Sequence, residues 1–199
     1  RTYISSTNRY AKNATIVYDK FHIISRLNKA VDAVRKRELN KARLDKNDEL
    51  VQLIHCKQRF ILFKNKGNLT KNQENTLAHL CEINKPIYEA MLLKESFGTL
   101  YACKDAVEAG EHLKTWTQQA TESSLPAFQE LAQKFREKTQ YILNWFKVKV
   151  SSAISEGFNN KIKRLKRMAY GYRDVDYFLL KIHQHCGLLN PRYMELNAT

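Results

Sequence analysis

The residues best placed to do chemistry lie in one segment, Ser155 to Arg173, with the sequence SEGFNNKIKRLKRMAYGYR. A helix turns about 100° per residue, so this segment would carry two opposite faces. A polar stripe would hold Glu156, Asn160, Lys163 and Arg167, and an apolar stripe would hold Phe158, Ile162, Leu165 and Ala169. A carboxylate at the head of a row of amides and cations suits a metal ion beside a phosphodiester. The pattern is also typical of a solvated basic face.

Both ends of this helix carry sequence signals. Ser155 is predicted to be the N-cap, and Gly171 the left-handed residue that terminates the helix. Glu156 would then lie in the first turn, where the positive end of the helix dipole favours a carboxylate.

The chain is strongly basic. It has 34 Lys and Arg against 20 Asp and Glu, a formal net charge of +14, which makes nucleic acid the leading partner. The excess is concentrated in the segment from Glu156 to Arg173, where Glu156 is the only acid. With 199 residues and 43% hydrophobic content, the chain is long enough for a substantial core and for one or two domains.

Targeting segments and disulfides are not expected. The sequence has neither a long apolar run nor a signal-peptide pattern, which predicts a cytoplasmic protein without membrane contact. The four cysteines are isolated and form no CxxC pair, which favours reduced packing thiols over zinc ligands. His183, His185 and Cys186 form a local cluster, for which a surface or packing role is favoured over metal binding.

The expected fold is mainly α. Thr70 with Gln73 predicts a capping box, and Pro86 and Pro126 suit first-turn positions. The β-branched run Ala14 to Tyr18 predicts one principal, buried strand. Hydrophobic periodicity predicts helices over residues 3–12, from 21 onward, and over 48–64, 71–84, 86–97, 104–121, 125–150, 155–169 and 174–186.

A lone strand cannot satisfy its own backbone hydrogen bonds, so the chain is interpreted as a fragment of a larger domain. The first residue, Arg1, agrees with this interpretation. The missing strand is expected immediately upstream, and the unfilled sheet edge predicts self-association.

Two motifs resemble a known family. They are VYDKFHIISRLNKAVDAVR, residues 17–35, and EGFNNKIKRLKRMAYGYRDVDYF, residues 156–178. In sequence and spacing they are similar to the DDE transposases of bacterial insertion sequences, specifically the ISL-three group. The resemblance implies a ribonuclease-H-like domain in which three carboxylates hold two magnesium or manganese ions. It implies cleavage and strand transfer of double-stranded DNA, both at the transposon ends and at the target.

The resemblance assigns roles to individual residues. Glu156 matches the third catalytic carboxylate and metal ligand. Asp19 is either the second metal-binding carboxylate or, with His22, part of a DxxH signature supporting the scissile phosphate, in which case the second acid lies before Arg1. His22 also fits a plain hydrogen-bonded residue at a helix start. The candidate DNA contacts come from helical geometry and charge instead: Asn160, Lys163 and Arg167 share the stripe of Glu156, and Arg164 and Arg173 belong to the same basic segment.

The resemblance also predicts an organisation in three parts. Residues 1–24 would be a remnant of the ribonuclease-H-like core, 25–150 a helical insertion, and 151–199 the acidic catalytic helix with a C-terminal helix. Basic residues of the insertion would either follow DNA or form a solvated face, and its aromatic residues are expected in the core. These basic residues of the insertion are Arg35, Lys36, Arg37, Lys41 and Arg43, and its aromatic residues are Phe60, Phe63, Trp116, Phe128, Phe135 and Trp145.

The alternative function is a non-catalytic helical DNA-binding or assembly module, in which Glu156 only caps its helix.

Overall fold

The computed structural model describes residues 2–55, 59–64, 66–149 and 153–185. Within these ranges the chain is mainly helical and contains no strand. Short 3₁₀ turns cover Lys66–Asn68 and Thr99–Ala102. The helices are α1 Thr2–Tyr10, α2 Lys20–Leu44, α3 Asp48–Ile54, α4 Arg59–Phe63, α5 Lys71–Ile83, α6 Lys85–Gly98, α7 Ala106–Glu122, α8 Pro126–Arg136, α9 Thr139–Val148, α10 Ala153–Met168 and α11 Val175–His185.

Two compact units divide the chain, residues 1–150 and 151–199. Helix α2 is continuous from Lys20 to Leu44, so it runs across the boundary predicted near residue 24. No helix in the described ranges is both long and apolar enough to span a bilayer.

The first unit is built around α2. Its apolar face buries Ile23, Leu27, Val31 and Val34 at the spacing expected for one side of a helix. Helices α3, α6 and α8 pack against α2, and α7 packs on α8 and α9. Burying side chains of this size contributes about 1.5–3 kcal/mol each.

Aromatic residues form the centre of this core. Trp116 packs edge-on against Phe97, with ring centroids 4.9 Å apart, and lies 5.7 Å from Phe135. Its indole N–H donates to the Leu93 carbonyl at 2.8 Å. The core prediction is confirmed for the buried rings of Trp116, Phe128 and Phe135, while Phe63 and Trp145 are half-buried. It is wrong for Phe60, which is 57% exposed with the Arg59 guanidinium over its ring.

Buried polar side chains satisfy helix ends inside this core. Arg35 pairs with Asp32 at 2.8 Å and donates to the Ile54 carbonyl at the end of α3. Asn84 accepts from the Ile87 N–H at the start of α6 and donates to buried Glu38 at 2.9 Å. These bonds occupy backbone groups that helix termini leave unpaired.

Lys94 serves the same purpose from the middle of α6. Its ammonium donates to the carbonyls of Leu62 and Lys64, both at 2.6 Å, around the end of α4. Burial lowers the pKa of Lys94 from 10.5 to about 8, and the negative charge of Glu95 opposes that shift.

The predicted strand at Ala14 to Tyr18 is wrong. This segment has no regular secondary structure and pairs with no strand among the described residues. Its backbone bonds to α9 instead, because the Tyr18 N–H donates to the Tyr141 carbonyl at 2.8 Å and the Asn144 amide donates to the Ile16 carbonyl at 2.9 Å. The sheet edge on which self-association was predicted is therefore not present in this part of the chain, and self-association remains untested.

Most predicted helices are present, with two divided. The helix predicted over 48–64 ends at Ile54 and resumes at Arg59, and residues 56–58 lie outside the described ranges. The helix predicted over 125–150 breaks after Arg136, where the Thr139 hydroxyl donates to the carbonyls of Phe135 and Arg136. A short hydroxyl side chain that bonds terminal carbonyls competes with continuation of the helix. The Thr70–Gln73 capping box and both first-turn prolines are confirmed.

The second unit contains α10 and α11. Asp174 caps α11, since its carboxylate accepts from the N–H groups of Asp176 and Tyr177 at 2.9 and 3.0 Å. Tyr172, in the connection, stacks on Phe178 with a centroid distance of 4.7 Å. Leu165 is the one buried apolar side chain in the described part of this unit.

Both predicted ends of α10 are displaced. The helix begins at Ala153, so Ser155 lies inside the first turn and is not the N-cap. At the other end the left-handed residue that terminates the helix is Tyr170, with φ 52°, one position before the predicted Gly171. The Tyr170 N–H bonds the Arg167 carbonyl and the Gly171 N–H bonds the Lys166 carbonyl, which is the Schellman arrangement. Gly171 follows at φ 108°, where a glycine avoids the strain of a side chain.

Candidate catalytic and nucleic-acid-binding residues

The polar stripe of α10 lies on an exposed face. Glu156, Asn160, Lys163 and Arg167 are all exposed, and they span about 16 Å at 1.5 Å per residue. On the opposite face Leu165 is buried and Ile162 half-buried. Phe158, 43% exposed, and Ala169 are exposed on that same face, so the predicted apolar stripe packs only in part, while the polar stripe is open to a large partner.

The charges of α10 agree with the helix dipole. Glu156 lies in the first turn, and Lys166 and Arg167 lie in the last. Each such placement stabilises an exposed helix by about 0.3–1 kcal/mol. The same placement separates the charges in space, leaving the acid at one end of the stripe and the cations toward the other.

The two remaining predicted DNA contacts lie beside the stripe. Arg164 is exposed about 80° around the helix from Glu156, at 100° per residue. Arg173 is exposed in the connection between α10 and α11. The second unit thus places all five predicted contacts on exposed positions within and just after one helix.

Asp19 has a structural role at the start of α2. It is the N-cap, with extended backbone geometry (φ −63°, ψ 133°), and its Oδ1 accepts from the Phe21 N–H. Such a cap contributes about 1 kcal/mol. Asp19 also acts on Tyr101, because burial and then the negative charge of Asp19 raise the pKa of the Tyr101 phenol.

His22 follows Asp19 by three residues in the first turn of α2. Its ring is exposed, packs edge-on against Phe21 at 5.8 Å and has no hydrogen bond to any residue in the described ranges. His22 lines a cavity of about 470 Å³ together with Arg26 and Lys29. The position at a helix start was foreseen from the sequence, but the hydrogen bond is not observed.

The residues described do not by themselves complete a metal site. No group of three His, Cys, Asp or Glu side chains converges in the described ranges. Carboxylate oxygens are nonetheless the ligands that magnesium prefers. Glu156 presents a carboxylate on an exposed face, and one oxygen of the Asp19 carboxylate caps α2. Of the predicted cluster on α11, His183 and His185 are exposed, and Cys186 lies outside the described residues.

The structure separates the basic residues of α2 into two kinds. Arg35 is buried as a helix-capping group, and Lys36 pairs with Asp32 at 3.0 Å. Burial opposes ionisation of Asp32, but hydrogen bonds from Lys36 and Arg35 keep the pKa of its carboxyl below the usual value. Arg37 and Lys41 are exposed instead and line a cavity. Arg26 and Lys29 were not assigned from the sequence, although their spacing from Arg37 already places them on one side of the helix.

Comparison with known proteins identifies the family. Residues 1–182 match the sequence model of a family described as Transposase. The chain is 33% identical over 174 residues to the transposase for insertion sequence element IS1001 of Bordetella parapertussis, covering 87% of this chain and 42% of that protein. It is 28% identical over 173 residues to the transposase for insertion sequence element IS1557 of Mycobacterium tuberculosis, covering 78% of this chain and 39% of that protein.

These matches show that the chain belongs to the ISL-three group of transposases. The chain spans about two fifths of the length of the curated relatives it matches. No solved structure matches it.

Proposed function

We propose that this chain is part of the catalytic domain of a metal-dependent DDE transposase that cleaves and joins DNA. The observation that carries the proposal is the exposed stripe on α10, with Glu156 at its head and Asn160, Lys163 and Arg167 along it. Membership in the transposase family makes DNA the natural partner for that stripe.

Glu156 supplies one carboxylate to a site for divalent magnesium or manganese. Two such ions, when bound, would activate the attacking oxygen and stabilise the leaving oxygen in a displacement at phosphorus. The other carboxylates come from elsewhere in the domain. Asp19 is either one of them or, with His22, a support near the scissile phosphate. In the second case Asp19 acts as the N-cap of α2, because the cap fixes where α2 begins and therefore where His22 lies.

Lys163 and Arg167 hold the DNA backbone beside the acid, with Asn160 between them and Glu156. Arg164 and Arg173 extend the contacts to neighbouring phosphates. Phosphate contacts of this kind set the register of the nucleic acid on the protein without reading its sequence. Leu165 and Ile162 are buried and half-buried on the opposite face, which leaves the stripe itself exposed for contact with DNA.

The segment Ala14 to Tyr18, before Asp19, is proposed to be a remnant of the ribonuclease-H-like core. In a longer protein Ala14 to Tyr18 would pair with a strand of that core. In the described residues the same segment uses α9 as its hydrogen-bonding partner. Helices α2 to α9 would then form an insertion between the core and the acidic helix.

The decisive experiment removes one carboxylate at constant shape. In a longer transposase containing this chain, Glu156→Gln should abolish DNA cleavage and strand transfer while leaving DNA affinity within about twofold, because it removes a metal ligand and no phosphate contact. Glu82→Gln, at an exposed position of α5, is the matched control and should cut normally. Normal cleavage by Glu156→Gln would reject the catalytic proposal in favour of a non-catalytic DNA-binding module.

The same protein can separate the two roles of Asp19. Asp19→Asn should abolish cleavage if the residue is a metal ligand. A partial loss is expected if it supports the site through the start of α2, since asparagine is also a good N-cap.

A further inference from the structure

A groove runs along α2 in the first unit. Three cavities of about 820, 470 and 360 Å³ follow one another between α2 and its neighbours. The first two share Arg26 and Lys134, and the last two share Ala33 and Ala127. Neighbouring cavities that share lining residues lie in a row along α2, with α8 forming most of the opposite wall, and this row is called the α2 groove.

The α2 wall of the groove is basic. Arg26, Lys29, Arg37 and Lys41 line it in order, and all four are exposed. None of them is ion-paired with a carboxylate in the described part of the chain. From Arg26 to Lys41 the helix rises about 22 Å at 1.5 Å per residue. That length matches about six base pairs of duplex, at about 3.4 Å per base pair.

The acids along the groove offset only part of this charge. Glu130 on the α8 wall is paired with Lys134. Glu38 is buried and accepts from Asn84. Glu137 lines the groove at its α1 end, where Arg9 and Lys138 also line it.

The middle of the groove is lined by small side chains. Ala33 of α2 and Ala127 of α8 face it at the point where two cavities meet. A sugar-phosphate chain can therefore approach the helix surface closely there. Cations collected in a groove with protein walls focus positive potential more strongly than the same charges scattered over a surface.

From this geometry we propose that the α2 groove is a second DNA track, which holds the backbone of a duplex independently of the stripe on α10. The proposal goes beyond the proposed function in assigning DNA contact to the helical insertion, and it rests on that function in taking DNA as the polyanion. Lys29, Arg37 and Lys41 are the principal phosphate contacts. Arg26, which lines both larger cavities, holds the backbone at the α1 end of the groove.

The test measures how the affinity of this chain for a short DNA duplex depends on salt concentration. Removing one phosphate-binding cation should reduce the slope of log K against log salt concentration by about 0.9. The double variant Lys29→Gln/Arg37→Gln should therefore flatten the slope by about two and weaken binding at ~0.1 M salt by about tenfold or more. The matched control, Lys71→Gln/Lys104→Gln, changes two exposed lysines of the same unit outside the groove and should leave the slope unchanged.

Chemical footprinting provides a second measurement that needs no variant. Duplex DNA should protect Lys29 and Lys41 from acylation, read by mass spectrometry, and leave Lys71 reactive. An unchanged slope in the groove variant, equal protection of Lys71, or stronger competition by single-stranded RNA of the same length would each overturn the proposal.

Failure of this proposal is distinguishable from failure of the proposed function. If the groove variant has a normal slope and Glu156→Gln loses cleavage, only the proposal that the α2 groove binds DNA is rejected. A flattened slope together with normal cleavage in Glu156→Gln rejects the catalytic role and retains the groove.

Discussion

The two units of the chain are stabilised in different ways. In the first, α2, α6, α7 and α8 enclose an aromatic core, and buried Arg35, Asn84 and Lys94 satisfy helix ends. In the second, α11 buries none of its residues, Leu165 of α10 is the one buried apolar side chain among those described, and the contacts include a cap at Asp174 and a stacked pair, Tyr172 with Phe178.

The difference in packing determines how rigidly each candidate DNA-contact surface is held. A core with buried charged groups fixes helix positions tightly, because displacing a helix would leave a buried donor or acceptor unpaired. The α2 groove is formed by such helices and keeps its shape. The stripe on α10 depends on less packing, so its residues can be changed with little effect on folding. Stability and DNA contact can therefore be measured separately in this chain.

The largest expected effect is on the core of the first unit. Trp116→Ala should lower the free energy of unfolding by about 3–5 kcal/mol, because it creates a cavity beside Phe97 and leaves the Leu93 carbonyl without its donor. Urea denaturation followed by circular dichroism measures this. Phe60→Ala is the matched control, since its ring is exposed, and should cost less than about 0.5 kcal/mol. Equal losses in the two variants would mean that the aromatic core is not where the structure places it.

A smaller effect is expected from Lys94, and it depends on pH. The pKa of Lys94 is about 8 in the folded protein and 10.5 as the ordinary value. Between these values the unfolded state binds more protons, so stability rises with pH through this window and is lowest below pH 8. The rise should be about 2 kcal/mol, less than the full shift would give at 1.36 kcal/mol per pKa unit, because hydrogen bonds to the Leu62 and Lys64 carbonyls offset part of the desolvation of the ammonium.

Comparison of variants isolates this contribution from other titrating groups. Lys94→Met cannot show this pH-dependent gain. The unfolding free energy of the wild type minus that of Lys94→Met should therefore increase from about pH 7 to about pH 10. Lys85→Met changes an exposed lysine in the same helix and should track the wild type. A constant difference between wild type and Lys94→Met would contradict the buried position of this ammonium.

The helices could be predicted from the sequence because their signals are local. Apolar periodicity located nearly every helix, and the Thr70–Gln73 box and two first-turn prolines marked individual starts. The strand prediction failed for the opposite reason. The β-branched run before Asp19 indicated a sheet, but its backbone partners, Tyr141 and Asn144, are distant in sequence and lie on a helix. Propensity of a short run is overridden by such tertiary contacts.

The candidate site, too, could be predicted only where the sequence signal is local. Glu156 could be selected because an acid heads a periodic stripe within one helix. The basic residues of α2 could not be sorted in this way. Arg35 and Arg37 differ by two positions, yet the first is buried against Asp32 and the Ile54 carbonyl and the second lines the groove. Only the packing of α3 and α8 around α2 distinguishes them.

Variants of the stripe on α10 should have the smallest effect on stability but a clear effect on DNA binding. Lys163→Gln/Arg167→Gln should change the unfolding free energy by less than about 0.5 kcal/mol, because both side chains are exposed. It should nevertheless flatten the salt dependence of duplex binding by about two units, one for each phosphate-binding cation that is neutralised. Lys161→Gln/Lys166→Gln makes the same charge change on the same helix but away from the stripe, so its slope should stay near that of the wild type. Equal slopes in both double variants would show that DNA senses only the net charge of α10. A wild-type slope in the stripe variant would remove α10 from the DNA interface and leave the α2 groove as the remaining track.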